Sequence, residues 1–169
     1  MKEIIRYGFI LSLICIVASG LLAGAYSLTT AKIIAQALAE EEAGLKQVIP
    51  QAVRFEPVKS GSGIAYYKAY NKDGVALGVA FKTSAKGYSS PIDTIVGMAG
   101  DGTITTIKIL NQNETPGVGA RVTEKSFTSR FANKNDISGV QAISGATISS
   151  KAVIESVKRK ADEIKKILQ

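Results

Sequence analysis

The chain opens with a long apolar segment, after which apolar and polar residues alternate over shorter stretches. Residues 7–31 carry no charged side chain. At about 1.5 Å per residue, about 20 of them would cross a hydrocarbon core of about 30 Å as a helix. Lys2 and Arg6 precede the segment, which favours a cytoplasmic N-terminus and an extracytoplasmic body. The pattern therefore predicts one N-terminal transmembrane helix, an anchor over residues 1–28.

Two kinds of cleavable leader share some features of this segment. A secretory signal peptide has a shorter apolar core, of about 7–15 residues, that ends at a small-residue cleavage site. Here the apolar run is longer, and residues 23–25 (Ala-Gly-Ala) form only a passable site. A lipoprotein signal would need a small residue before the cysteine, but Ile14 precedes Cys15. An uncleaved anchor is the favoured interpretation.

A connecting helix is expected next, over residues 29–50. Thr29 or Thr30 can cap its start, and the stretch is rich in alanine. Pro50 cannot continue a helix and follows its expected end. Residues 59–63 (Lys-Ser-Gly-Ser-Gly) are expected to form a flexible loop.

The pattern then becomes typical of β-strands, and two hairpins with tight turns are expected. The first pairs residues 64–70 with 75–81 around 71–74 (Asn-Lys-Asp-Gly), and the second pairs 92–98 with 103–110 around 99–102 (Ala-Gly-Asp-Gly).

A loop over residues 111–121, a short helix near 127–131 and a long helix over 149–168 are expected to follow. In the long helix, apolar residues recur at spacings of three and four, so one face should dock on the sheet. Regular strand–helix–strand alternation is missing from the pattern. The expected fold over residues 51–169 is therefore α+β, a mainly antiparallel sheet with flanking helices.

Composition excludes several kinds of chemistry. The 169 residues include no histidine and one cysteine, so there can be no Ser-His-Asp triad, no His-ligated haem or zinc and no internal disulfide. Redox chemistry would need an organic cofactor. The formal net charge of +7 suits anionic ligands, anionic lipid or a plain solvated surface. A nucleic-acid-binding motif does not accompany the basic residues, so a nucleic acid partner is not expected.

The first candidate site is the segment of residues 144–151 (Ser-Gly-Ala-Thr-Ile-Ser-Ser-Lys). Small residues there favour a tight turn directly before the long helix. A helix start presents unpaired N–H groups and the positive end of the dipole, which suit a phosphate. Thr147 would place its hydroxyl at that point, with Lys151 one turn along as a counter-charge. From the local chemistry alone, Thr147 as a plain helix cap without a ligand is the more common alternative.

The second candidate site is the segment of residues 114–119 (Glu-Thr-Pro-Gly-Val-Gly). Pro116 restricts the residue before it, while Gly117 and Gly119 permit unusual dihedral angles and would let a flat ring approach the backbone. The alternative is an ordinary surface turn. The segment is not a dinucleotide-binding fingerprint, because a third glycine does not stand at the required spacing.

Together, residues 114–119 and 143–150 resemble the two signature segments of the FMN-binding domain family. Residues 87–89 (Gly-Tyr-Ser) resemble a further family segment near the flavin. The whole layout, a short anchor and a small domain, is similar to the G-subunit family of Rnf electron-transport complexes, and less closely to the C subunits of sodium-pumping NADH:quinone reductases.

The resemblance implies FMN joined through a phosphoester to Thr147 by a separate flavin transferase that uses FAD. The residues it implies for cofactor binding are Thr147, Ser144, Gly145, Ala146, Ile148, Lys151, Glu114, Thr115, Pro116, Gly117, Val118, Gly119 and Tyr88.

The function implied is that of an electron-carrier subunit, not catalytic alone, in an ion-translocating ferredoxin:NAD⁺ oxidoreductase of the Rnf type. Its partners would be the other membrane subunits of that complex, and it would lie in the cytoplasmic (inner) membrane. Two alternatives stay open. One is a free-standing extracytoplasmic flavin shuttle or reductase of the same family, and the other is a membrane-anchored module that binds a phosphorylated ligand without redox chemistry.

Overall fold

The computed structural model describes residues 2–60 and 63–168. Its helices are α1 (Lys2–Val48), α2 (Lys125–Thr128) and α3 (Thr147–Leu168), and its strands are β1 (Arg54–Ser60), β2 (Gly63–Tyr70), β3 (Ala76–Lys86), β4 (Pro91–Ala99) and β5 (Ile104–Asn111). Short 3₁₀ helices cover Gly119–Thr123 and Ser129–Phe131. The chain divides into two compact units, Met1–Ala39 and Glu40–Gln169.

The first unit is the N-terminal part of α1. Among the described helices, α1 is the one long and apolar enough to cross a membrane, judged by length and composition. Leu21 and Leu22 are typical of its side chains in being largely exposed, as suits contact with lipid. The expected helix start at Thr29 or Thr30 is wrong. The Thr29 hydroxyl donates to the Ala25 carbonyl (2.8 Å), and Thr30 bonds back one turn in the same way, so both lie inside the helix.

The second unit is built on a five-stranded antiparallel sheet in the order β1-β2-β3-β4-β5. The α+β fold and both hairpins are confirmed. Strand β1 is not predicted by the sequence pattern, and it takes up part of the loop expected at 59–63; Gly61 and Ser62 lie outside the described residues. A proline interrupts the usual strand signal, and Pro57 is tolerated here because β1 is an edge strand.

One face of the sheet carries the larger core. Val153, Val157, Ala161 and Ile164 of α3 are buried in it at the expected spacing, so the docking of this helix on the sheet is confirmed. Helix α3 begins at Thr147, two positions before its predicted start.

The region predicted as a short helix, near residues 127–131, forms α2 and the 3₁₀ turn after it. Phe127 and Phe131 from this region are fully buried, with their rings edge to face at 5.3 Å between centroids.

The other face of the sheet is covered by the C-terminal end of α1. Leu45 and Val48 pack there in a smaller cluster with residues of β2, β3 and β4. The Tyr67 hydroxyl donates to the Glu41 carboxylate (2.7 Å), and burial together with this carboxylate raises the pKa of the phenol. Lys82 also pairs with Glu41, at 3.5 Å. Apolar packing and these polar contacts fix the end of α1 on the sheet.

The topology brings two connecting segments to one end of the sheet. Lys86 pairs with Pro91 at the close of the β3–β4 hairpin, which leaves residues 87–90 as its turn. In the next pair of strands, Asp93 lies opposite Asn111, so the loop after β5 leaves at that same end. The turn at 87–90 and the loop at 112–119 are therefore neighbours.

Candidate functional site

The turn at 87–90, the loop at 112–119 and the start of α3 surround one cavity of about 360 Å³. Small-molecule and cofactor sites have volumes of about 300–1,000 Å³. The cavity is lined by Tyr88, Glu114, Thr115, Val118, Gly119, Gly145, Ala146, Thr147, Ile148 and Ser149.

The start of α3 is held by its own backbone and by a buried serine. The Ala146 carbonyl accepts the first bond of the helix, from the Ser150 N–H at 3.0 Å, so Ala146 occupies the cap position. The Ser150 hydroxyl accepts from the Ile143 N–H (3.0 Å) and donates to the Ala146 carbonyl (2.7 Å). Gly145 has φ of 82°, a left-handed conformation that favours glycine.

This arrangement leaves the helix start open to an anion. The first N–H groups of a helix have no acceptor within the helix, and Ala146 has no side-chain oxygen with which to cap them. The helix dipole adds a partial positive charge at the same point. Thr147 is the first residue of the helix, so the alternative in which Thr147 is a plain cap is not what the structure contains.

The hydroxyl groups near this helix start differ in accessibility. Ser149 and Ser150 are buried, and their hydroxyls are engaged in short hydrogen bonds. Thr147 is exposed and lines the cavity. Ser144 is exposed too, but lies outside the cavity lining. Within the stretch of residues 144–150, Thr147 is thus the residue that combines a cavity position with an accessible hydroxyl.

Glu114 is the central polar residue of the site, with only 5% of its surface exposed. Its carboxylate accepts the backbone N–H groups of Tyr88 (3.2 Å), Ser89 (2.9 Å) and Ser90 (2.9 Å). It also accepts the hydroxyl of Ser149 at 2.6 Å. Burial raises the pKa of Glu114, but these hydrogen bonds together outweigh burial, so the pKa lies below its usual range and the group is ionised at neutral pH.

Two glycines make room for this carboxylate. A Cβ at Gly87 would lie 2.6 Å from Oε1 of Glu114, and a Cβ at Gly119 would lie 2.5 Å from Oε2. A side chain at either position would therefore force the Glu114 carboxylate to shift. The glycines therefore allow the backbone to close around Glu114 on both sides.

The mouth of the cavity is apolar. Tyr88, Val118 and Ile148 all line it, yet they are 71%, 46% and 58% exposed. Each belongs to a different one of the three segments. Large apolar side chains that converge while exposed are typical of a surface that a ligand or partner covers.

Most of the residues predicted from the sequence come together at this cavity. Pro116, Gly117 and Lys151, like Ser144, are described and exposed but lie outside its lining. Gly117 has φ of 74°, in the left-handed region.

Ser149 lies within the candidate segment at 144–151 but is not among the residues predicted to bind the cofactor, although it lines the cavity and bonds Glu114. The sequence signal that could have indicated it is its place two residues after Thr147, on the first turn of the same helix.

Comparison with known proteins gives two family matches. Residues 87–162 match the model of the FMN-binding domain, and residues 1–48 match that of the RnfG N-terminal region. The first match begins at the turn at 87–90 and includes all three segments around the cavity.

Individual relatives cover nearly the whole chain. The G subunit of the ion-translocating oxidoreductase complex from Methanosarcina acetivorans is 32% identical, over 96% of this chain and 95% of that protein. The G subunit of the Na⁺-translocating ferredoxin:NAD⁺ oxidoreductase complex from Acetobacterium woodii is 31% identical, over 92% and 89%. Among solved structures, the C subunit of the Na⁺-translocating NADH-quinone reductase from Parabacteroides distasonis is similar, with a TM-score of 0.52 and 26% identity over 62% of each chain.

Proposed function

Because this chain belongs to the family of G subunits of ion-translocating oxidoreductase complexes, we propose that it is a membrane-anchored electron carrier. It holds FMN in the cavity between the turn at 87–90, the loop at 112–119 and the start of α3, and the flavin is attached covalently to Thr147. The observation that carries the proposal is the accessible Thr147 hydroxyl, in the cavity and at an uncapped helix start.

The residues of the cavity fit a flavin phosphate at one end and a flat ring at the other. The open N–H groups at the start of α3 suit the single negative charge of a phosphodiester. Lys151 lies one turn after Thr147 on the same helix and adds a positive charge there. The exposed apolar surfaces of Tyr88, Val118 and Ile148 would cover the ring and keep water from it. FMN so bound supplies a group that can accept and donate electrons.

Attachment is an exchange of one phosphorus–oxygen bond for another, carried out by a separate flavin transferase. The Thr147 oxygen forms a bond to the phosphorus of the FMN half of FAD, the pyrophosphate bond breaks, and AMP leaves. The hydroxyl proton is released, and neither threonine nor flavin changes oxidation state. Thr147 suits this role because it is an exposed residue, whereas Ser149 and Ser150 are buried.

We also propose how the chain is arranged at the membrane. Residues 1–28 are a single-pass anchor in the cytoplasmic (inner) membrane, residues 29–50 connect it to the domain, and residues 51–169 form the FMN-binding domain on the extracytoplasmic side. Lys2 and Arg6 before the apolar run support a cytoplasmic N-terminus. The partners that deliver and accept electrons are the other membrane subunits of the complex.

The test is an intact mass measurement on full-length protein from cells that contain the flavin transferase. The expected result is one added FMN, located by peptide mapping on the peptide that contains Thr147. The variant T147A should lose the covalent flavin and keep its melting temperature. T115A is a matched control, because Thr115 is also exposed and lines the same cavity, and it should stay loaded.

The outcomes separate this function from its alternatives. Colourless wild-type protein from such cells would refute the flavin carrier and favour a module for another phosphorylated ligand. Covalent flavin that persists in T147A would refute the attachment site. Co-purification with other membrane subunits supports the complex, whereas loaded protein that always purifies alone would indicate a free-standing shuttle or reductase.

A further inference from the structure

We infer that Glu114 is a positioning residue: it holds the three segments of the cavity in a ligand-ready arrangement and acts through them, not by bonding the ligand. The inference takes the identity of the ligand from the proposed function, but the role of Glu114 can be tested in protein that carries no flavin.

The hydrogen-bonding capacity of Glu114 is already used. An ionised carboxylate offers about four lone-pair positions. Four donors occupy them, namely the N–H groups of Tyr88, Ser89 and Ser90 and the hydroxyl of Ser149. Although Glu114 lines the cavity, its oxygens are therefore committed to the protein and are poorly placed to receive a proton or a hydrogen bond from a ligand.

The four donors come from segments that are distant in sequence. The separations from Glu114 are 24–26 residues for the turn at 87–90 and 35 residues for Ser149 in α3. Glu114 itself belongs to the loop at 112–119. One side chain thus ties together all three walls of the cavity, including the helix that bears Thr147.

The hydrogen-bond donors around Glu114 suit a carboxylate on a side chain of this length. The backbone at Gly87 and at Gly119 lies so close to the carboxylate that a Cβ at either position would meet one of its oxygens. Glutamine keeps the shape but replaces one acceptor oxygen by an NH₂ group, which would face N–H donors. Alanine removes the contact altogether. The two substitutions should therefore give graded effects.

The experiment measures amide hydrogen exchange in full-length protein from cells that lack the transferase. In E114Q at least one of the amides of Tyr88, Ser89 and Ser90 should exchange about tenfold faster, because the one remaining oxygen of glutamine cannot accept all three N–H groups and a lost hydrogen bond to a charged group is worth at least a factor of ten in exchange rate. The effect in E114A should be larger. S149A removes one donor and should loosen the first turn of α3 without affecting residues 88–90.

The control and a second readout separate positioning from loss of the fold. E155Q makes the same chemical change on an exposed part of α3 and should leave exchange unchanged. Amides in the middle of β4 should stay protected in every variant. In cells that contain the transferase, flavin loading should slow in the order S149A, E114Q, E114A.

Wild-type exchange rates at residues 88–90 in folded E114A would overturn the inference, as would uniform loss of protection throughout β4. If E114A does not fold, E114Q decides the question by the same criteria, and S149A decides it by the exchange of the amides in the first turn of α3. Failure of the proposed function would look different: wild-type protein would carry no flavin while the exchange pattern of the variants stayed as described.

Discussion

Substitution of Gly119 by alanine should destabilise the domain through Glu114. The added Cβ would lie 2.5 Å from Oε2 and 2.8 Å from Cβ of Glu114, and 2.9 Å from the Ser149 hydroxyl. All three atoms belong to the buried residues Glu114 and Ser149, so the carboxylate must shift, and its 2.6 Å bond to Ser149 is the contact most directly disturbed. A hydrogen bond to a charged group contributes about 1.5–3 kcal/mol, and overpacking costs about 1–3 kcal/mol. Structural relaxation relieves part of the lost hydrogen bond and part of the overpacking. We therefore expect the free energy of unfolding to fall by about 2–4 kcal/mol.

Thermal and urea unfolding of the full-length protein in detergent would measure this loss. For a domain of this size the expected fall in melting temperature is about 5–15 °C. G139A is a matched control, because a Cβ at Gly139 would meet nothing within 4 Å and its φ is not left-handed. Its stability should change by less than about 1 kcal/mol.

A double-mutant cycle would show whether the loss acts through the carboxylate. Removing the side chain in E114A makes space for the new methyl group, so the two substitutions should be non-additive, with a coupling of about 1–3 kcal/mol. Stability in G119A equal to that in G139A would refute the reasoning. Additive losses in the double variant would refute the role of Glu114 in it.

Three further predictions concern pH, the turn before α3 and the core. Because folding lowers the pKa of Glu114, its ionised form should stabilise the fold above the unfolded-state pKa of about 4.3, and that contribution should be lost as pH falls through the folded-state pKa. The difference in melting temperature between wild type and E114Q should therefore shrink from pH 7 towards pH 3; a difference that grows would contradict this. S150A leaves the buried Ile143 N–H without its acceptor, so the free energy of unfolding measured in urea should fall by about 1–3 kcal/mol. The control S126A changes an exposed serine and should leave this free energy almost unchanged. F127A removes a fully buried aromatic ring and should lower the free energy of unfolding by about 3–5 kcal/mol in the same measurement. A decrease of less than about 1 kcal/mol would contradict the packing described.

Local sequence signals account for the parts of the fold that can be predicted. The turns at 71–74 and 99–102 contain Asp-Gly, and the flanking residues alternate, so both hairpins follow from neighbouring residues. The apolar spacing of α3 likewise needs no information from distant parts of the chain. Strand β1 differs because it depends on pairing with β2, and Pro57 together with charged neighbours obscures its pattern.

The sequence predicts most of the residues that line the site but not the hydrogen bonds between them. The segments at 114–119 and 144–151 stand out by their glycines and hydroxyls, and the structure brings most of their residues to one cavity. The bonds from Glu114 to residues 88–90 and to Ser149 span at least 24 positions. Nothing in the sequence around Glu114 indicates that it bonds residues 88–90 and Ser149, so its role can be identified only from the folded structure.

The order of the elements along the chain has a consequence for biosynthesis. All five strands precede Thr147, and the cavity is complete only when α3 has docked on β3 and β4. A ribosome adds about 5–20 residues per second, so a nascent chain passes several seconds with all five strands synthesised and α3 still missing. A transferase that recognises the assembled cavity would pass over such unfinished chains. Under the proposed function, covalent flavin on a molecule would then indicate that α3 had been translated and had packed on the sheet.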